Sequence, residues 1–136
     1  MIRRATLEDM PDVVRLADEF RAYSPYSAIP LDEDAFTAFA ARLIEHGVIL
    51  MSEDGLLGGC LNPIYFNPAY VFAAELFWWA RKGGQDLLRA FEGWAQEQGA
   101  VGVQFTGLRD DHSRAIERVF RRAGYAPIET AFIKRF

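Results

Sequence analysis

The sequence predicts an α+β fold with a single layered domain over residues 1–136, and three observations support this prediction. Strand-like and helix-like segments follow one another in the order β-α-α-β-β-β-α-β-α-β. The predicted helices each carry one apolar stripe, which needs a sheet or another helix to cover it. Hydrophobic residues make up 51% of the 136 residues, which is enough for one core.

The first predicted elements are a short strand at residues 2–5 and two helices. Thr6 follows the strand and has the side chain of a helix N-cap. Apolar residues at helical spacing then predict a helix to about residue 21. The prolines of AYSPYSAIPL end that helix, and a second helix is predicted at 32–46 with Gly47 at its end.

A β-hairpin is predicted next, from VILMS and LLGGCLNPIYF on either side of Asp54 and Gly55. Gly58 and Gly59 in the second strand indicate a bulge or a close backbone approach. Asn67 and Pro68 are predicted to turn the chain into the following strand.

The segment at 71–80, VFAAELFWWA, is predicted to be a strand buried on both faces, with Glu75 as its one charged residue. Burial would raise the pKa of this carboxyl group toward that of a general base. Glu75 is therefore the candidate catalytic residue. The alternative is a strand carboxylate paired with an arginine or lysine of the sheet.

A basic glycine turn, RKGGQD, joins this strand to the next helix. The N–H groups of a helix N-terminus favour an anion, and Arg81 and Lys82 strengthen that preference, so we predict that the turn binds phosphate. An ordinary strand-to-helix connection with solvated cations is the alternative. The helix has Leu87, Leu88, Phe91, Trp94 and Ala95 on one face.

The remaining elements are a strand at 101–108, a helix at 113–123 and a terminal strand at 129–136. Gly124 is a plausible C-cap for the helix. The terminal strand would be a sheet edge through which two copies of the chain could pair, so a homodimer is open.

Composition limits the classes of partner. A formal net charge of −4 argues against general nucleic-acid binding, although acids concentrate in residues 8–54 and bases later. One cysteine and two separated histidines predict no metal site. No apolar run is long enough for a membrane span and no signal sequence is evident, so we expect a cytoplasmic protein.

The element order and the glycine turn resemble the GNAT family of N-acetyltransferases. The local features are RKGGQDLLRAFEGWA at 81–95 and SRAIERVFRRAGY at 113–125. The resemblance implies a three-layer α/β/α domain with a mixed, mostly antiparallel sheet. It also implies acetyl transfer from acetyl-coenzyme A to a primary amine of a small molecule or peptide, without a metal.

The resemblance assigns further site residues. A backbone N–H near Phe77–Trp79, where the strand of the family bulges and splays from its neighbour, would polarise the thioester. Tyr23 and Tyr26 would line the acceptor site, although surface aromatics are the alternative. The predicted cofactor-binding residues are Phe77, Trp78, Trp79, Arg81, Lys82, Gly83, Gly84, Ser113 and Phe120.

Two positions depart from the pattern of the family. With Arg81 as the first residue of the family's turn, Asp86 stands where a small residue is usual. With Leu87 and Leu88 aligned instead, Gly84 is the last glycine and the turn is about two residues short. In either register the carboxylate of Asp86 would repel phosphate unless it points away. Phe120 occupies the slot that often holds a proton-donating tyrosine. These departures leave a second function open, a catalytically degenerate module that binds coenzyme A or a protein partner without acyl transfer.

Overall fold

The computed structural model describes residues 1–108 and 112–136. These residues form two compact units, Met1–Thr106 and Gly107–Phe136, and each is described by itself. The single domain expected over residues 1–136 stays a prediction. No helix in the described part of the chain has the length and apolar character needed to cross a bilayer.

The first unit contains a five-stranded sheet whose strands lie side by side in chain order. The strands are β1 (Arg3–Arg4), β2 (Val48–Met51), β3 (Gly55–Ile64), β4 (Asn67–Ala80) and β5 (Gly102–Gln104). Neighbouring strands are antiparallel except for β4 and β5, which are parallel. The predicted mixed, mostly antiparallel sheet is confirmed.

Three helices accompany this sheet: α1 (Met10–Tyr23), α2 (Glu33–His46) and α3 (Gly84–Glu97). A short 3-10 turn precedes α1. Asp32 caps α2, because its carboxylate accepts a hydrogen bond of 3.0 Å from the N–H of Ala35. Helix α3 joins the parallel strands β4 and β5, a connection that requires a crossover element.

Alternation along β2 shows how helices cover both faces of the sheet. Val48 and Leu50 pack in one buried cluster with the apolar stripe of α3. Ile49 and Met51 pack in the other cluster with residues of α1 and α2. Successive strand residues point to opposite faces, so the helices form two layers with the sheet between them. The predicted three-layer arrangement is therefore confirmed.

Two predictions about β4 are wrong. The turn before it is formed by Tyr65 and Phe66, and β4 already begins at Asn67, which pairs with Ile64. The strand is also not buried on both faces, since only Ala73 is fully buried between residues 71 and 80. The long β3–β4 hairpin extends beyond the short strands on either side, and its outer residues therefore lack cover.

The second unit contains α4 (Ser113–Arg122). Gly124 follows it with φ of 89°, a left-handed conformation that favours glycine at a helix end. The predicted terminal strand is wrong, because residues 125–136 form neither helix nor strand. The sheet edge that motivated the homodimer is thus absent from the described residues, and self-association stays a prediction.

Gly93→Ala should raise the free energy of unfolding by about 1 kcal/mol. Gly93 lies inside α3, where alanine is favoured over glycine, and an added Cβ would meet nothing within 4 Å. Gly99→Ala is the matched control. It should lower stability by about 1 kcal/mol because Gly99 has φ of 76°. Urea unfolding measures both, and a destabilised Gly93→Ala variant would contradict the prediction.

Candidate functional site

The two parallel strands part from each other at Glu75, and we call this point the fork. Strand β5 pairs with β4 at three positions, the last being Ala74 opposite Gln104. Strand β4 then continues through residues 75–80, where the described part of β5 no longer pairs with it. Among the described strands, none pairs with this edge of β4 beyond the fork, and backbone N–H and C=O groups on such an edge can meet a ligand.

A β-bulge lies beside the fork. Gly58 pairs with Phe77 but Gly59 pairs with Glu75, so Leu76 is an extra residue on β4. The close approach predicted at the two glycines is confirmed, because a Cβ on Gly58 would overlap the ring of Phe77. The bulge lies just before the range 77–79 in which the family resemblance placed it.

Glu75 lies at the fork, and its carboxylate is held by Thr106, two residues after the end of β5. Its Oε2 accepts hydrogen bonds of 3.1 Å from both the backbone N–H and the hydroxyl of Thr106. Burial raises the pKa of this carboxyl group, and the two bonds from Thr106 oppose that rise. Among the described residues, Glu75 thus has a threonine partner in place of the arginine or lysine considered above.

The adjacent tryptophans point to opposite faces of β4, as alternation predicts. Trp78 lies on the α3 side, where its indole N–H donates to the carbonyl of Gly84 at 3.2 Å. Its ring also meets Phe105 edge-on, with centroids 5.6 Å apart. Trp79 lies on the side of α1, and its ring centroid is 4.9 Å from that of Tyr23.

Tyr23 and Tyr26 occupy different positions. Tyr23 is the last residue of α1, not a loop residue, and its half-exposed ring packs on Trp79. Tyr26 lies in the following turn, where its backbone N–H donates to the hydroxyl of Ser24 at 3.1 Å. Its side chain is 46% exposed. Tyr23 thus contacts Trp79, a predicted site residue of β4, and the assignment of both tyrosines to an acceptor site stays a prediction.

The cations of the glycine turn are engaged by carboxylates. Arg81 lies 3.3 Å from Glu19 of α1 and 3.5 Å from Asp54 of the β2–β3 turn. Lys82 lies 3.2 Å from Asp54, although its own side chain is 82% exposed. The N–H of Arg81 also donates to the carbonyl of Asp54 at 2.9 Å. Arg81 consequently joins three segments, while Lys82 remains accessible to a ligand.

The backbone of the turn is shaped for a helix start without a side-chain cap. Gly83 has φ of 73° and precedes the first residue of α3, Gly84. Within the described residues, no side chain makes a capping hydrogen bond to this helix, so its first N–H groups keep the preference for an anion. Asp86 lies in the first turn, 3.4 Å from Arg89. Its carboxylate would reduce the affinity of the turn for phosphate.

Ser113 and Phe120 belong to the second unit. The hydroxyl of Ser113 donates to the carbonyl of Leu108 at 3.2 Å, at the beginning of α4. Phe120 packs on Tyr125, with ring centroids 5.4 Å apart. Their assignment to a cofactor site stays a prediction, because each unit is described separately.

Sequence reasoning missed three residues that organise the site: Thr106, Glu19 and Asp54. Thr106 has the one available signal, since a polar residue just after a strand lies where sheets of parallel strands bind ligands. Glu19 and Asp54 carry no such signal. An acid on a helix and an acid in a hairpin turn are ordinary surface residues until the fold brings them to the glycine turn.

A surface depression lies near the edge of the sheet formed by β1 and β2, whereas the fork lies between β4 and β5. Residues of β1, β2 and the C-terminal ends of α2 and α3 line it, among them Arg4, His46, Trp94 and Gln98. None of the predicted site residues lines this depression. In the described residues, moreover, no group of three or more metal-binding side chains is found.

Comparisons with known proteins relate this fold to acetyltransferases. No family model matches the sequence, and no curated protein matches it either. Solved structures do match. The aminoglycoside N-acetyltransferase AAC(6')-Iy, in complex with the bisubstrate analogue CoA-S-monomethyl-acetylneamine, superposes with a TM-score of 0.74 at 15% identity, over 100% of this chain and 97% of that one.

A predicted acetyltransferase from Clostridium acetobutylicum, solved with acetyl-CoA, has a TM-score of 0.71 at 12% identity over 99% of this chain and 95% of its own. An aminoglycoside acetyltransferase from an uncultured soil metagenomic sample has a TM-score of 0.74 at 11% identity, over 100% of this chain and 97% of its own. At these identities the likeness concerns the fold. The chain has the fold of the GNAT acetyltransferases.

Proposed function

We propose that this protein transfers an acetyl group from acetyl-coenzyme A to a primary amine of a small molecule or peptide. The observation that carries the proposal is the fork, where a half-buried carboxylate lies beside the edge of β4 that β5 no longer pairs with. The fold of the acetyltransferases, and the coenzyme A ligands of two of the similar structures, support the same reaction.

Features of the described residues fit the cosubstrate. The open edge of β4 offers backbone N–H groups to a carbonyl oxygen, and the uncapped start of α3 offers N–H groups to a phosphate. Acetyl-coenzyme A supplies an acetyl thioester, whose C–S bond breaks as the C–N bond to the amine forms. Asp86 is the one residue of the turn that opposes this fit.

Glu75 would act as the general base of the reaction. An amine attacks only when it is deprotonated, and the carboxylate takes the proton through water. Tyr23 and Trp79 would position the acceptor on the α1 side of β4. The leaving sulfur takes its proton from water or another group, since the slot that often holds a tyrosine in the family is Phe120 in this sequence. Alignment of amine and thioester supplies much of the remaining acceleration.

A second function is favoured by one observation, the ion pairs that hold Arg81 and Lys82. If these pairs persist, the turn attracts phosphate weakly, which favours a catalytically degenerate module that binds coenzyme A or a protein partner without acyl transfer. Calorimetry with acetyl-coenzyme A, followed by a thiol-release assay over a panel of amines, separates the two. Binding with thiol release supports the enzyme, binding alone supports the module, and no heat at millimolar ligand contradicts both coenzyme A functions.

Asp54→Asn should tighten the binding of acetyl-coenzyme A by about 2- to 5-fold in low salt, because it removes the carboxylate that competes for Lys82. Lys82→Met should weaken binding by a similar factor. Both effects should shrink in high salt, where surface charges are screened. Calorimetry at two salt concentrations measures them.

The control for this pair is Arg42→Met, which removes an exposed cation of α2, a helix that does not form the turn. We leave Arg81 unchanged, since its removal would also release Glu19 and Asp54. Equal affinities for wild type, Asp54→Asn and Lys82→Met would mean that the turn does not hold the phosphates.

A further inference from the structure

Thr106 makes an unusual pair of contacts at the fork. Its backbone N–H and its hydroxyl both donate to the same carboxylate oxygen of Glu75, each at 3.1 Å. Ala74, the neighbour of Glu75, is in the last pair of the β4–β5 ladder with Gln104. Backbone pairing stops at Gln104, and the carboxylate of Glu75 then accepts the N–H of Thr106, two residues further along the chain.

This geometry has two consequences for the carboxylate. Two donors on one oxygen fix the side-chain rotamer of Glu75 and leave the second oxygen as the site for a proton in transit. Hydrogen bonds to an ionised carboxylate also stabilise its charged form. Burial alone would favour the protonated acid, which cannot act as a base, and the bonds from Thr106 oppose that effect.

No charged group of a neighbouring described element contributes to the pKa shift of Glu75, so Thr106 alone opposes the effect of burial. Within the described chain, burial and the two Thr106 bonds are the influences on the pKa of Glu75. On β3, the residue paired with Glu75 is Gly59. The titratable Cys60 pairs with the neighbouring Ala74, and burial raises the pKa of its thiol. Two further carboxylates lie near the C-terminal end of β4. Glu19 of α1 forms an ion pair with Arg81, and Asp86 of α3 forms one with Arg89.

We propose that Thr106 is a positioning residue for acetyl transfer, whose hydroxyl holds Glu75 in the orientation and the ionised state that a base requires. This inference rests on the proposed function, because it assigns Thr106 a part in the same reaction. Thr106 does not touch either substrate in this role. It acts through Glu75 alone.

The test compares Thr106→Val with Thr106→Ser. Valine has a similar shape but no hydroxyl, and serine keeps the hydroxyl. In Thr106→Val, the acid limb of the pH profile of kcat/KM should move up by about one pH unit, the size expected for losing one hydrogen bond to a charged group. On that limb the rate falls by about tenfold. Thr106→Ser should keep the wild-type profile.

A titration of the Glu75 carboxyl group by carbon NMR gives a readout that does not depend on activity. The pKa of Glu75 should be higher in Thr106→Val than in wild type and unchanged in Thr106→Ser. Equal pKa values in all three proteins would overturn the inference, as would superimposable pH profiles. If wild type releases no thiol but the pKa of Glu75 still rises in Thr106→Val, the proposed acetyl transfer is wrong, whereas the interaction between Thr106 and Glu75 is supported.

Discussion

Glu75→Gln should lower kcat/KM for acetyl transfer by about 10²- to 10⁴-fold at neutral pH, the range that a positioned general base contributes. Glutamine has nearly the same shape and keeps an oxygen that can accept the bonds from Thr106. The variant therefore loses basicity while the fork keeps its geometry. Calorimetry should find the binding of acetyl-coenzyme A within about twofold of wild type, because the change leaves the β4–α3 turn untouched.

The pH dependence gives this prediction a second test. The pKa of Glu75 is raised by burial, so the wild-type rate should fall, as the pH drops, at a higher pH than an exposed carboxyl group would set. That limb should be missing from the residual activity of Glu75→Gln. Unchanged turnover in the variant at every pH would remove Glu75 from the mechanism.

Stability should respond in the opposite direction to activity. A carboxyl group with a raised pKa in the folded state binds more protons there than in the unfolded state, so its contribution to stability falls as pH rises through that window. Above the window, the folded state contains a partly desolvated charge that glutamine lacks. Glu75→Gln should thus be at least as stable as wild type at neutral pH in urea unfolding, which would mark Glu75 as functional.

Helix positions were predictable from the sequence because their signals are local. All five residues of the predicted α3 stripe are buried. Asp32 caps α2 and Gly47 follows its end. The hairpin around Asp54 and Gly55 forms as predicted. In each case, a turn residue or an apolar period within one segment is sufficient to define the element.

Strand ends were predicted less well because they depend on distant partners. β-Branched and aromatic residues at 129–136 have strand propensity, but a strand needs a neighbour and the described chain provides none there. The turn at Tyr65–Phe66 contains no glycine or proline. Its position follows from the register of the long hairpin, which no single turn residue specifies.

The candidate site also contains residues with a local signal in the sequence and residues that depend on distant partners. Glu75 stands out in the sequence because it is the lone charge in an apolar segment, and the alternation of Trp78 and Trp79 follows from strand geometry. The partners of the site could not be predicted, since Thr106 and Glu75 are 31 positions apart and meet only where β5 ends. A residue that acts at the end of a pairing ladder is identified by the fold alone.

Phe91→Ala should lower the free energy of unfolding by about 3–5 kcal/mol, which is a large fraction of the total stability of a small domain. Phe91 is fully buried on the inner face of α3. Its ring stacks on Trp94 and meets Phe105 edge-on, in both cases with centroids 5.5 Å apart. Phe66→Ala is the matched control, because that ring is 77% exposed and its loss should change stability by less than about 0.5 kcal/mol.

Gly59 tests whether Phe91 packs directly against the bulged hairpin. A Cβ on Gly59 would overlap the ring of Phe91 and lie 2.8 Å from the carbonyl oxygen of Ala74. Gly59→Ala alone should therefore cost about 1–3 kcal/mol through overpacking. In the Phe91→Ala background the ring is gone and only the clash with the carbonyl remains, so the same change should cost less. Additive losses would place the two residues in separate environments.

The packing of Phe91 also connects stability to the fork. Phe105 lies between Phe91 and Thr106 in this arrangement, because it contacts the ring of Phe91 and immediately precedes Thr106 in the chain. A cavity at Phe91 should loosen the end of β5 and with it the two bonds to Glu75. Phe91→Leu, which retains most of the volume, should then lose less activity than Phe91→Ala when both are assayed well below their melting temperatures. Equal activities in the two variants would mean that the core under α3 and the fork are independent.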